Sequence, residues 1–308
     1  MSKPNIQISR ILGFIALAIG LVGCSGLLPL NQSLASKSVP QVKEVKSLLY
    51  VGHSFFYRNN SMHTYTNRLL DAAGQTDHRS TSATIGGAGI NWHSVEAYFK
   101  PNSVGSYTFV DDNEVRFNTF DRPFDATLMM DCSQCPIHPK LQPIFHEYAK
   151  KHSDTVRKFG SQPMLFMTWA YADKPEMTEQ LAAEYIKAGQ QNNALVVPAG
   201  YAFANSVAKR PDINLIVLDK RHPTVQGTYL SACTILASVY KINPIGSKYT
   251  AGLSPEVAKH LQTVAWVKWT PKTGQQFKWD TVTRNGVNHD RDQKAQRSPA
   301  GVQSQGGA

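Results

Sequence analysis

Short apolar runs alternate with helix-period segments through the middle of this chain, and no other feature restricts the fold as strongly. The runs are SLLYV (47–51), DATLMM (125–130), PMLFMTW (163–169), ALVVPAG (194–200) and INLIVLD (213–219). Each is bounded by turn residues, the pattern of a strand buried on both faces. Helical patterns fall between most of them, at 139–159, 176–192 and 200–209. Another follows the first run, with Met62, Tyr65, Leu69, Leu70 and Ala73 at helical spacing. Asn60 or Ser61 is its N-cap and Gly74 its stop. A helix begins near Thr224 and puts Val225, Tyr229, Cys233, Leu236 and Tyr240 on one face, and a last one covers 254–269. Strands that alternate with helices predict an α/β fold, a three-layer α/β/α sandwich with a mostly parallel central sheet of flavodoxin-like type. Residues 103–120 alternate more like a hairpin and read as an insertion.

The ends of the 308-residue chain differ from this middle. Lys3 and Arg10 precede an apolar run from Ile11 to Val22, and Gly23-Cys24 follows. A basic segment and a short apolar segment read as a secretory leader rather than a membrane span. LVGC at its end resembles a bacterial lipobox, which implies cleavage before Cys24 and lipid on its sulfur. The alternative is an ordinary leader cut later, near SLAS at 33–36. Ser25 after the cysteine favours the outer membrane by the same resemblance. The expected domains are a lipoprotein signal peptide (1–23), a tether (24–45), one globular domain (46–284) and a disordered polar tail (285–308). The expected location is the bacterial cell envelope, lipid-anchored and facing the periplasm or exterior. Removing residues 1–23 takes Lys3 and Arg10 away and lowers the net charge from +10 to +8. The basic residues are scattered and no basic stripe with interleaved aromatics appears, so nucleic acid is not an expected partner.

Ligands bind outside the carboxyl ends of the strands in such sheets, so chemistry-bearing residues should follow strands. Ser54 comes three residues past Val51, in YVGHSFFYRNN. Asp219 and His222 lie three apart in LDKRHPT, after INLIV. A serine hydroxyl needs a base to become a nucleophile, and a carboxylate fixes the tautomer of that base. The three residues predict a Ser–His–Asp site. It is not the GxSxG elbow, because Phe56 stands at the second glycine position. His53 is read as cleft lining, since neighbouring strand-end side chains usually diverge. Trp92, His93 and Trp169 are either cleft or core. No HExxH or paired Cys–His metal spacing occurs, and neither metal nor cofactor is expected.

VGHSF with RNN after it, then IGGAG, then DKRHPTVQGTYLSA resembles the SGNH (GDSL-like) hydrolases, in particular bacterial members with a Gly-x-Ser-Phe first block. The likeness runs over about residues 47–270 and includes MTW (167–169) and VPAG (197–200). It implies a serine esterase with Ser54 as nucleophile, His222 as base and acid, and Asp219 as the orienting carboxylate. It also implies an oxyanion hole from the Ser54 N–H, a second-block glycine N–H and a third-block asparagine side chain. Gly87 matches the glycine, with Gly86 the close alternative. The third block departs from the pattern: DCSQCP holds no asparagine, and Ser133 or Gln134 would have to supply the donor. The substrate class implied is an acyl or acetyl ester on a small molecule or polymer, including carbohydrate or envelope material. Against this stand a non-catalytic glycan-binding lipoprotein of the same fold and, on CSQC alone, a thiol–disulfide protein. Cys132 and Cys135 are a close pair, either disulfide-linked in an oxidising compartment or free thiols. Cys233 reads as a small core residue.

Overall fold

The computed structural model describes residues 43–101, 103–104, 107–109, 115–117 and 123–266. The leader, Cys24, most of the tether, the tail and residues 267–269 of the last expected helix lie outside the described residues. Among the described residues no helix is long and apolar enough to cross a membrane.

Five strands form one sheet: β1 (Ser47–Gly52), β2 (Arg79–Thr84), β5 (Ala126–Met129), β6 (Gln162–Phe166) and β7 (Leu195–Val197). Their order is β2-β1-β5-β6-β7, and every neighbouring pair is parallel. Two further strands, β3 (Tyr107–Phe109) and β4 (Val115–Phe117), pair antiparallel as the hairpin between β2 and β5. Every residue of β1 is buried, because helices cover both faces of the sheet. Alternation along β1 assigns its side chains to two cores. Leu48 and Tyr50 join α2 (Met62–Ala72), α6 (Val225–Val239) and α7 (Pro255–Trp266) on one face. Leu49 and Val51 join α3 (Gln142–Lys158) and α4 (Met177–Gln191) on the other. The short α1 (Ser54–Tyr57) caps the tip of β1, and α5 (Ala199–Lys209) follows β7 and places side chains in both cores. These are the three layers that the alternating pattern predicts. The helix expected from near Thr224 is α6, and Thr224 caps it, its hydroxyl accepting from the Gly227 N–H at 3.2 Å. Cys233 is a fully buried free thiol.

Two segments depart from expectation. RSTSAT forms β2, although nothing apolar marks it; it pairs only with β1 at the sheet edge and stays partly exposed, so polar side chains suffice. INLIVLD forms no strand. Ile213 and Leu215 are buried, yet the backbone pairs with itself: Val217 N–H donates to His222 O, Thr224 N–H to Leu215 O, and Ile216 bridges Pro223. Leu218 projects outward, 97% exposed. Ile and Leu here satisfy burial, which apolar character reports, but not pairing with β7.

The chain crosses from one side of β1 to the other between β2 and β5. Such a reversal, at the carboxyl ends of β1 and β5, is the place where sheets of this kind bind ligands. Gly52 at the tip of β1 is required by close packing. A Cβ there would lie 2.5 Å from Met130 Cγ and 2.9 Å from Phe56 Cδ2.

Candidate active site

Ser54 is the first residue of α1, directly past the β1 tip, and only 8% of it is exposed. Its hydroxyl lies 2.8 Å from His222 Nε2. His222 Nδ1 lies 2.6 Å from Asp219 Oδ2. The carboxylate can only accept, so Nδ1 carries the proton and Nε2 is left to accept from Ser54. The other carboxylate oxygen, Asp219 Oδ1, accepts the Arg221 and His222 N–H groups, each at 2.9 Å. Burial raises the Asp219 pKa. The His222 backbone N–H, the His222 ring and the Arg221 N–H outweigh it and hold the carboxyl down to about 2. The Ser, His and Asp singled out in the sequence therefore meet in one hydrogen-bonded chain.

The loop that carries Asp219 and His222 is held from both sides. Asn59, after α1, donates to the Pro223 carbonyl at 3.0 Å and to Thr228 Oγ1 at 2.8 Å. Trp169, after β6, donates its indole N–H to the Arg221 carbonyl at 2.9 Å. Ala172 N–H donates to Lys220 O at 3.0 Å. Trp169 is fully buried, so it is core rather than exposed cleft wall. His93 is buried too, whereas Trp92 is 62% exposed.

His53 does not diverge from Ser54. Its Nε2–H donates to the Asp131 carbonyl at 3.1 Å, which leaves Nδ1 as an acceptor 3.4 Å from Ser54 Oγ. Burial pushes this imidazole down to about 4, with the Asp131 carbonyl opposing and His222 and His93 adding to the drop. Burial likewise lowers His93 to about 4. Its Nε2–H donates to the Gly52 carbonyl, which also accepts from Ile85 N–H. Segment 85–93 is thus tied at both ends to one carbonyl beside the nucleophile. Gly87 sits in this segment, exposed and at φ +72°, a conformation that glycine adopts without strain.

Asp131 follows β5 and is 2% exposed. Its Oδ1 accepts the Ile90 N–H at 2.7 Å and the Cys132 N–H at 2.8 Å. Burial raises its pKa to about 6 against the pull of those two bonds. The loop beyond carries a Cys132–Cys135 disulfide. Ser133 Oγ lies 2.7 Å from Tyr171 OH, so that hydroxyl already has a partner. No hydrogen bond joins Gly87 or Ser133 to Ser54; both stand on loops at the same sheet edge. Asp131 and the two sulfurs lie within 4.8 Å of one another, but sulfurs bonded to each other offer no thiolate to a metal.

RNN, DCSQCP and MTW contain Asn59, Asp131 and Trp169, but the sequence assigned none of these contacts. Their partners are mostly backbone carbonyls and N–H groups, which no residue spacing reveals. The available signal was weaker: an acid ending an apolar run at DATLMMD, and an indole ending another at PMLFMTW.

The parallel α/β/α sandwich has known structural counterparts. A DUF4886 family protein from Bacteroides uniformis superposes with a TM-score of 0.54 at 19% identity, over 71% of this chain and 93% of that one. An esterase from Pseudoalteromonas aligns at TM-score 0.45 and 12% identity, over 64% and 97%. An acetyl xylan esterase from Geobacillus stearothermophilus aligns at 0.43 and 16%, over 64% and 96%. The first of these, at 19% identity, speaks to the fold alone. No protein-family model and no curated protein matches the sequence.

Proposed function

We propose that the protein is a serine hydrolase of SGNH type that cleaves an acyl or acetyl ester. The observation that carries this is the unbroken chain Ser54–His222–Asp219, at 2.8 and 2.6 Å, beside the topological reversal of the sheet. In this mechanism His222 Nε2 takes the Ser54 proton as Oγ attacks the ester carbonyl, and Asp219 stabilises the imidazolium that forms. His222 then gives the proton to the departing alcohol, and a water deacylates Ser54 by the same steps in reverse. The N–H groups of Ser54 and Gly87 are the proposed oxyanion donors, with Ser133 as a third. Ser133 must break its bond to Tyr171 or turn its hydrogen to serve, and one missing donor costs about 3 kcal/mol of transition-state stabilisation.

Neither metal nor cofactor has a step in this chemistry. The proposed substrate is a small-molecule or polymer-bound ester, including carbohydrate and envelope material. Attachment through a lipid on Cys24 at the outer membrane belongs to the same proposal. It rests on LVGC after a basic, apolar leader and, for the outer membrane, on Ser25, and a mature N-terminus found near Lys37 on soluble protein would remove it.

A fluorophosphonate probe tests the core of this reading. Wild-type protein should be labelled and Ser54→Ala should not. A second reading, a non-catalytic glycan-binding protein, is favoured by the missing third-block asparagine. It takes over if wild type resists the probe and hydrolyses no short-chain aryl ester.

A further inference from the structure

We propose that Trp169 is a positioning residue that sets His222 over Ser54, acting through the Arg221 carbonyl; this rests on the serine-hydrolase reading. The loop from 213 to 224 belongs to no strand, so the sheet does not place His222 directly. Asp219 fixes the imidazole within the loop but cannot fix the loop against β1, because both of its oxygens bond to the loop itself. Something outside must supply that registration.

Trp169 has the required connections. Its indole N–H meets the carbonyl of Arg221, the peptide unit that leads into His222. One indole face stacks on Phe203 at 4.2 Å and 3°, and the other on Phe55 at 4.4 Å and 12°. Phe55 directly follows the nucleophile, and its ring meets the His222 ring edge-on at 5.6 Å. One side chain therefore touches the residue after Ser54 and the residue before His222.

The backbone two residues before Trp169 is tied to the sheet. Met167 N–H donates to Val197 O, and Gly200 N–H donates to Met167 O. α5 begins so close that a Cβ on Gly200 would lie 2.2 Å from the Thr168 carbonyl. The other ties from this segment are weaker or more exposed. Lys220 meets Asp173 in an exposed pair at 3.1 Å, and Arg221 lies over the Tyr171 ring at 4.9 Å. The Trp169 bond is held in a rigid, fully buried stack, so losing it loosens the Arg221 side of the loop relative to Ser54, while Asn59 still holds the Pro223 carbonyl and the Asp219–His222 pair stays intact.

The test replaces Trp169 by β-(3-benzothienyl)alanine, which keeps the shape and stack but lacks the N–H. Trp169→Phe is the second variant. Val156→Ala, in the core on the opposite face of the sheet, serves as a control for general destabilisation. Removing the N–H should lower kcat and the fluorophosphonate labelling rate about tenfold, with KM within about twofold, because the substrate site is untouched. Val156→Ala should leave both rates within about twofold at matched loss of stability. In 15N NMR, the His222 Nε2 resonance of the benzothienyl variant should move toward its position in Ser54→Ala. The low-field Nδ1 proton shared with Asp219 should persist. A benzothienyl variant with wild-type kcat, labelling rate and Nε2 resonance overturns the positioning role and leaves the hydrolase reading standing. If wild type proves inactive on every ester and unlabelled, the hydrolase reading fails instead. The Nε2 resonance still decides the positioning: movement toward Ser54→Ala supports it, and no movement overturns it.

Discussion

The tip of β1 and the loop at 213–224 each contribute to the same site, and they are held in opposite ways. Ser54 inherits its place from the sheet. β1 is flanked by β2 and β5, buried throughout, and closed by Gly52 against Met130 and Phe56. His222 inherits nothing from a strand. Its ring is fixed by an aspartate three residues away, and the two carbonyls beside it are held by Asn59 and Trp169. The nucleophile's position is thus a property of the fold, and the base's position is a property of a few hydrogen bonds. Damage should follow that division.

Direct removal of either chemical group is the most severe test. Ser54→Ala and His222→Ala should each lower hydrolysis of a short-chain aryl ester by about 10⁴-fold or more, and the double variant should lose little beyond either one. Retention of most activity by His222→Ala, together with its loss in His53→Ala, would show that His53, 3.4 Å from the nucleophile, is the base.

Titration separates the groups packed around the nucleophile. Asp131 is raised to about 6 from 3.8, so the stability it contributes is present below about 3.8 and is lost as pH rises through 6. His53 is lowered to about 4 from 6.5, so its contribution is present above 6.5 and is lost as pH falls through 4. The two oppose each other between pH 4 and 6. Asp131→Asn removes one side of that balance. Relative to wild type it should gain about 3 kcal/mol between pH 3 and pH 8, read by urea unfolding at each pH. Parallel curves for the two proteins would contradict the raised Asp131 value.

Within the loop, Asp219→Asn should cost about 10²-fold in kcat, less than the roughly 10⁴ seen for the equivalent change in serine proteases. The amide favours the wrong imidazole tautomer, but its oxygen still accepts the Arg221 and His222 N–H groups, so the loop keeps its shape. A loss as large as that of His222→Ala would mean that Asp219 also determines where the loop sits.

The smallest effect belongs to the disulfide. It closes a loop of only a few residues, so its reduction should lower stability by about 2 kcal/mol. An unreduced digest analysed by mass spectrometry should show Cys132 and Cys135 joined; two thiols free to alkylate before reduction would contradict the bond.

The same contrast explains what could be read without coordinates. SLLYV, DATLMM, PMLFMTW and ALVVPAG announced themselves as strands because helices bury both of their faces. INLIV carries the same apolar signal and is a loop, because the signal reports burial and its hydrogen bonds went elsewhere. RSTSAT carries no such signal and is a strand, because an edge needs only one neighbour. Ser54, Asp219 and His222 were legible as chemistry. The contacts of Asp131, Asn59 and Trp169 were not, since they run mostly through main-chain atoms that every residue possesses.

Sequence distance adds a kinetic consequence. Asp219 and His222 are 3 residues apart, whereas Ser54 and His222 are 168 apart. A pair so local can form as soon as its own loop closes, within microseconds or less. The contact with Ser54 has to wait until nearly the whole described chain is folded between the two ends, the slow kind of event in a high-contact-order topology. Reactivity of Ser54 toward a phosphonate probe during refolding is therefore a clock for the last long-range closure, and it should lag behind helix formation seen by circular dichroism.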